Sequence, residues 1–298
     1  MPLFSHLAPA NRWPVARIIG LLALVFLLQA CSAVKTVYGN APTLTHWWID
    51  GYVNLDKAQS AQLHEDLAQL QAWHRRNELP RYADALQRLA SQMQGPVEAA
   101  TWCALATDVR GNLERIAAAG GPAAAALATG LQPAQLQALA RKHGKTNAEY
   151  RAKWLDAPTE TLRERRFEQA LERIEMVYGR LDDAQRAVLQ AQLDRSRFTA
   201  QQAYAGRLQR QQDLLATLRQ VAEGPLPAPA AQAALQAAAR RSLYGGDAAA
   251  RAETEGRLQE TCQTLAILHA STTPAQRENA TRRLQGYASD FRALANRS

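Results

Sequence analysis

Cysteine is scarce in this sequence. There are three in 298 residues, at positions 31, 103 and 262, and no Cys-x-x-Cys pair exists for metal or thiol–disulfide chemistry. Aromatic residues make up only 6% of the chain. β-branched residues are thin, and nowhere do they alternate with polar ones at the period of two that marks a strand. Catalytic signatures are missing as well. His64-Glu65 lacks the second histidine of a His-Glu-x-x-His zinc site, and Gly144-Lys145-Thr146 has Leu139 where a P-loop requires glycine. No Gly-x-Ser-x-Gly elbow is present. The histidines are scattered without ligand spacing. The sequence therefore assigns no catalytic residue, no metal site and no cofactor, and the chain is read as non-enzymatic.

Long apolar runs are few, and one stands out, from Ile18 to Leu28. It is shorter than the roughly 20 residues that cross a bilayer. It suits a signal-peptide core, with Arg12 and Arg17 ahead of it and no acidic residue. The run ends in Leu28-Gln29-Ala30-Cys31, which resembles a lipobox, the cleavage motif of bacterial lipoproteins. A small Ala30 sits beside the cut, and the Cys31 thiol can carry a thioether-linked diacylglycerol. One acyl chain binds a membrane only marginally, so the three that the motif implies are what make a stable anchor. Ser32, where aspartate would favour retention in the inner membrane, implies the outer membrane by resemblance to enterobacterial sorting. The expected layout is a cleaved signal peptide over 1–30 and a lipidated tether over 31–42, with the rest facing the periplasm.

The formal charge is +8, and loss of Arg12 and Arg17 with the signal peptide lowers it by two. A mild surplus of this kind reads as a solvated helical surface or as attraction to acidic headgroups and polypeptides. An exported chain has no call for nucleic acid. The periplasm is oxidising, so Cys103 and Cys262 are a disulfide candidate. Two buried free thiols are the alternative.

Ala, Leu, Gln and Arg dominate, and these are strong helix formers. The expected fold is all-α: an elongated bundle of long antiparallel helices. Gly95-Pro96 and Gly120-Gly121-Pro122 punctuate it. A helix after Pro158 has an apolar face through Leu162, Phe167, Leu171, Ile174, Val177 and Tyr178, with Gly179 as its C-cap. A second long helix is expected from Asp182 to about Val221. The proline-rich stretch 224–230 reads as a linker between a main helical domain over 43–223 and C-terminal helices over 231–298 that pack on it. Gly245-Gly246 is a further turn, followed by helices over about 248–270 and 274–296.

One pattern recurs four times, as Leu55-Asp-Lys-Ala-Gln59, Leu131-Gln-Pro-Ala-Gln135, Leu181-Asp-Asp-Ala-Gln185 and Thr272-Thr-Pro-Ala-Gln276. Asp56, Asp182 and Thr273 read as N-caps, and the glutamine three positions on completes a capping box. Pro133 and Pro274 suit the first helical position. The uneven intervals exclude a solenoid repeat. The pattern resembles the Leu-Thr-x-x-Gln signature of Spy/CpxP-type periplasmic proteins, which are helical, ATP-independent chaperones or stress regulators; no copy here is literal.

Aromatic and ionisable residues concentrate in two blocks, Trp47-Trp48-Ile-Asp50-Gly-Tyr52 and Trp73-His74-Arg75-Arg76-Asn-Glu78-Leu79-Pro80-Arg-Tyr82. His74 and Glu78 lie four apart and can pair on a helix. Together with the lipobox, Tyr38-Gly-Asn40, Asn147-x-x-Tyr150 and Gly179-Arg180-Leu181, these blocks resemble a proteobacterial family of helical lipoproteins of unknown function. That resemblance implies secretion, lipidation and a helical fold, and no activity. Trp47, Trp48, Asp50, Tyr52, Trp73, His74, Arg75 and Glu78 read as a packed core, as a recognition surface or as groups at a membrane interface. The expected function is a binding, chaperone-like or structural role, with another envelope protein or an unfolded client as partner. The rival is an enzyme with a site around Asp50, His74 and Glu78.

Overall fold

Strong helix formers and almost no strand signal lead to helices throughout. The computed structural model describes residues 34–224 and 226–297, so the expected signal peptide over 1–30, with Ala30, and Cys31 lie outside the described residues. Residues 34–39 are helical, within the stretch read as tether. From Ala41 onward the chain is one unit. Its helices are α1 (Ala41–Val53), α2 (Lys57–Asn77), α3 (Leu79–Gln92), α4 (Ala99–Ala119), α5 (Gly121–Thr129) and α6 (Pro133–Trp154). They continue with α7 (Thr159–Tyr178), α8 (Asp183–Arg195), α9 (Ala200–Glu223), α10 (Ala228–Tyr244), α11 (Ala248–Ala270) and α12 (Pro274–Ala295). No strand occurs among the described residues.

Neighbouring helices run antiparallel, as side-chain pairs show. Arg292 on α12 meets Asp84 on α3 at 3.1 Å, while Thr281 earlier on α12 accepts from Gln94 just past α3 at 3.1 Å. Cys262 on α11 is bonded to Cys103 on α4 with Cα atoms 5.5 Å apart, and Arg110 pairs with Glu255 at 3.0 Å. Asp213 of α9 pairs with Arg241 of α10 at 2.9 Å. The main core gathers Met93, Trp102, Tyr178, Leu181, Leu189 and Leu268. A second core holds Val53, Leu131, Leu136 and Leu139.

The expected helix from Asp182 to about Val221 is two helices. Ser196 has an extended backbone, with φ −64° and ψ 138°. Glu260 holds the break open, accepting from the Ser196 hydroxyl at 3.0 Å and from the Arg197 N–H at 3.2 Å. Thr199 then caps α9 by accepting from Gln202 N at 3.1 Å. The expected linker over 224–230 is shorter than read, because α10 already begins at Ala228. Pro229 sits in the first turn, where its missing N–H has no helical partner to lose. Gly179 has φ 81°, as a helix-ending glycine should, with extended ψ. Gly245 has φ 103°, and a Cβ there would lie 2.5 Å from the Ala250 carbonyl carbon.

The four repeats start four helices. Asp56, Asp182 and Thr273 each accept from the N–H three residues on, at 2.9, 2.8 and 3.2 Å. The reciprocal bonds into Gln59, Gln135, Gln185 and Gln276 are 3.1, 2.9, 3.1 and 2.9 Å. The repeats also meet in pairs. Gln59 and Gln135 donate to each other's Oε1 at 3.2 and 2.6 Å, and Gln185 and Gln276 do so at 2.7 and 2.9 Å. Each amide also donates to the carbonyl just before its partner's repeat. Gln59 reaches Gly130, Gln135 reaches Asn54, Gln185 reaches Ser271 and Gln276 reaches Arg180. The fold thus contains two equivalent clasps, one beside each of these two cores.

Candidate functional site

The first aromatic block lies on α1 and is split by helix geometry. Asp50 faces inward and accepts from Leu55 N–H at 2.7 Å, closing the turn into α2 around Asn54, whose φ is 53°. Tyr52 packs toward α6, 6.0 Å from the His143 ring and 5.5 Å from Lys142 Nζ. Trp48 leans on Tyr52 at 4.8 Å yet stays 58% exposed, and Trp47 is 74% exposed. Leu44 is exposed too. Spacings of three and four residues set Leu44, Trp47 and Trp48 on one outward face.

The second block is a junction between helices. Glu78 is 1% exposed at the α2–α3 boundary. Arg115 of α4 grips both its oxygens, Nε to Oε1 at 2.8 Å and Nη2 to Oε2 at 2.9 Å. This bidentate bond holds the Arg115 guanidinium above its ordinary pKa. His74 bonds the Tyr82 hydroxyl at 3.2 Å, and burial, opposed by Glu78, lowers its pKa. Glu78 thus bonds Arg115 directly and acts on His74 through its charge. Arg75 reaches the Arg297 carbonyl at 3.2 Å. Trp73 is half-buried and lines an apolar groove of about 950 Å³ with Ile49, Leu70, Pro122 and Leu235.

Asp50 and the His74–Glu78 pair do not converge. Asp50, on α1, lies by the turn that starts α2, and the pair lies at the far end of α2, about 25 Å along it at ~1.5 Å per residue. No group of three or more metal-ligating side chains occurs among the described residues.

Two polar features escaped the sequence reading. His269 is fully enclosed. It accepts from the Tyr178 hydroxyl at Nδ1 (2.9 Å) and faces the Gly95 carbonyl at Nε2 (2.8 Å). That carbonyl requires the proton on Nε2. Burial lowers the His269 pKa and raises that of Tyr178. The second feature is a cavity of about 800 Å³ between α6, α7, α8 and α11. Aromatic Tyr150, Trp154 and Phe198 and the arginines 166, 173 and 257 line it. Its members come from distant helices, and the signal left in the sequence is the surplus of arginine.

The model of a family of unknown function, DUF6279, matches residues 51–229. That is more than half of the chain, and the chain belongs to this family. Tyr52, Trp73, His74, Arg75 and Glu78 fall within the match; Trp47, Trp48 and Asp50 precede it. No curated protein and no solved structure matches the chain.

Proposed function

We propose that this member of the DUF6279 family is a lipid-anchored, periplasm-facing binding protein of the bacterial outer membrane. In this reading the chain is cleaved after Ala30 and acylated on Cys31, and the helices from Ala41 onward capture another envelope component without catalysing a reaction. The observation that carries it is the outward face of α1. Leu44, Trp47 and Trp48 expose large apolar surface together, and tryptophan is an enriched anchor of recognition surfaces. The face begins 13 residues after Cys31 and ends 17 after it, a reach of at most about 60 Å for extended chain.

Two further observations support the reading. The Cys103–Cys262 disulfide agrees with an oxidising compartment. The groups of the rival enzymatic site are engaged in the fold, Asp50 in a turn and Glu78 in a buried ion pair. A chaperone-like form of the same activity uses the α1 face on unfolded clients, since binding alone must serve where ATP is absent. The four helix-start repeats, similar to the Leu-Thr-x-x-Gln pattern, favour this form.

A photo-crosslinkable residue in place of Trp48, compared with one in place of Arg165 on α7, tests the reading in cells. The expected result is one dominant envelope partner crosslinked from position 48. Trp47→Ala with Trp48→Ala should weaken co-purification of that partner while thermal unfolding is unchanged. Cys31→Ser should release the protein from membranes. A Cys31→Ser chain still membrane-bound would remove the anchor, and no crosslink from position 48 would remove the recognition face. Failure to slow aggregation of an unfolded client at equal stoichiometry would exclude the chaperone form.

A further inference from the structure

The cavity between α6, α7, α8 and α11 opens beside a smaller one of about 170 Å³, and the two share Tyr150 and Arg257 as walls. The smaller cavity adds Arg207 and Arg210. Three guanidinium groups thus surround one small space.

Their neutralisation is poor. Arg207 is held by neutral acceptors, Asn147 Oδ1 at 2.7 Å and Thr146 Oγ1 at 3.1 Å, and lies over the Tyr150 ring at 5.3 Å. Arg257 has one carboxylate, Glu253, at 3.6 Å. Glu260, the acid lining the larger cavity, is taken by Arg197 at 2.6 Å and by Ser196. Arg210 has its pKa lowered by burial and then by Arg257 and Arg207. Like charges held this close are unfavourable by themselves. They become favourable when a phosphate or carboxylate accepts their hydrogen bonds.

The adjoining cavity is of another character. Ile174, Leu189, Leu193 and Leu265 line it together with Trp154 and Phe198. Its volume of about 800 Å³ lies within the range of roughly 300–1,000 Å³ typical of small-molecule sites. A cationic pocket joined to an apolar one matches a ligand with an anionic head and an apolar tail.

We propose that these joined cavities bind a single-chain anionic amphiphile. Its phosphate or carboxylate sits among Arg207, Arg210 and Arg257, and its alkyl chain runs past Tyr150 into the space between Ile174 and Leu265. The site is independent of the α1 face and of the lipid anchor, so it stands or falls apart from the envelope-partner reading.

Calorimetric titration of the full chain carrying Cys31→Ser, with each ligand below its micellar concentration, tests this. The ligands are dodecyl phosphate, laurate, dodecyl maltoside and inorganic phosphate. Dodecyl phosphate or laurate should bind saturably at one per chain, at least about tenfold tighter than the neutral amphiphile or free phosphate. The order of the two anions identifies the head group. Arg210→Glu should weaken binding about tenfold. Gln169→Trp, at an exposed position lining the larger cavity, should weaken the amphiphiles and spare phosphate. Equal affinity for dodecyl maltoside would overturn the head-group site, and equal affinity for inorganic phosphate would overturn the tail site. Unchanged binding in Arg210→Glu would overturn the location.

Discussion

Gln185 and Gln276 hold each other through both ends of their amides, Nε2 to Oε1 at 2.7 Å in one direction and 2.9 Å in the other. Each Oε1 also accepts its own N-cap N–H, and each Nε2 reaches the carbonyl ahead of the partner's repeat. Every donor and both oxygens are satisfied, and Gln185 is buried. Replacing one glutamine by leucine leaves backbone groups and the partner amide short of bonds, which costs about 2 kcal/mol. Gln276→Leu and Gln185→Leu should each lower the unfolding free energy obtained by urea titration by that amount. The double variant should be less destabilised than the two singles added together. Strict additivity would mean that the clasp contributes no coupling.

The local half of that clasp was legible and the distant half was not. A capping box is written within four residues, so Asp56–Gln59 and Thr273–Gln276 could be read directly. The partner glutamine lies 76 or 91 residues away, and nothing local selects it. The all-α class was legible for the same reason, since helix propensity and apolar period are local. The break at Ser196–Thr199 was hidden because Glu260, on α11, holds it. The exposure of Trp47 and Trp48 was open in the sequence, where core and surface readings of a tryptophan pair look alike. The arginine-lined cavity draws on α6, α9 and α11, so no window of sequence contains it.

Glu78 and Arg115 form the most deeply buried ion pair at the second aromatic block. Removing Arg115 leaves the buried carboxylate with the distant, largely exposed Arg81, 4.0 Å away, as its remaining arginine. The usual cost is about 3–5 kcal/mol, and partial exposure of Arg115 puts this pair at the lower end. Arg115→Met should therefore destabilise by about 3 kcal/mol. Arg115→Met with Glu78→Gln should recover much of the loss, because the buried charge goes with its partner. Thermal or urea unfolding of the three chains decides it. A double variant no more stable than Arg115→Met would show that the pair acts through shape instead of charge.

His269 makes stability depend on pH. Its folded pKa lies below the ordinary 6.5, chiefly through burial, with the Gly95 carbonyl opposing and Arg277 adding to the shift. Between the folded and unfolded values the unfolded chain binds more protons, so stability rises with pH there. It is fully present above about 6.5 and is lost as pH falls below that value. His74 and His143 are shifted the same way by burial and act in the same direction. The urea midpoint should fall between pH 7.5 and pH 5.5. His269→Gln, which keeps a donor for Gly95 and an acceptor for Tyr178, should flatten that slope. An unchanged slope would assign the dependence to the other two histidines.

The Cys103–Cys262 bond joins α4 to α11 across 159 residues. Cross-linking a loop of this size restricts the unfolded chain, and by chain entropy a loop of about 100 residues is worth close to 5 kcal/mol. Native contacts around Cys262 are tight, since it is buried beside Leu268 in the main core, so alanine is the better replacement than serine, whose hydroxyl would lack a partner there. Cys103→Ala with Cys262→Ala should therefore lower stability by about 3–5 kcal/mol. Protein recovered from cells without reductant should migrate faster on a gel than the same sample after reduction. Equal mobility, with two reactive thiols beyond Cys31, would show that the pair is reduced in the cell. That outcome would also weaken the oxidising-compartment argument for the periplasm, leaving fractionation of the Cys31→Ser chain to decide the location alone.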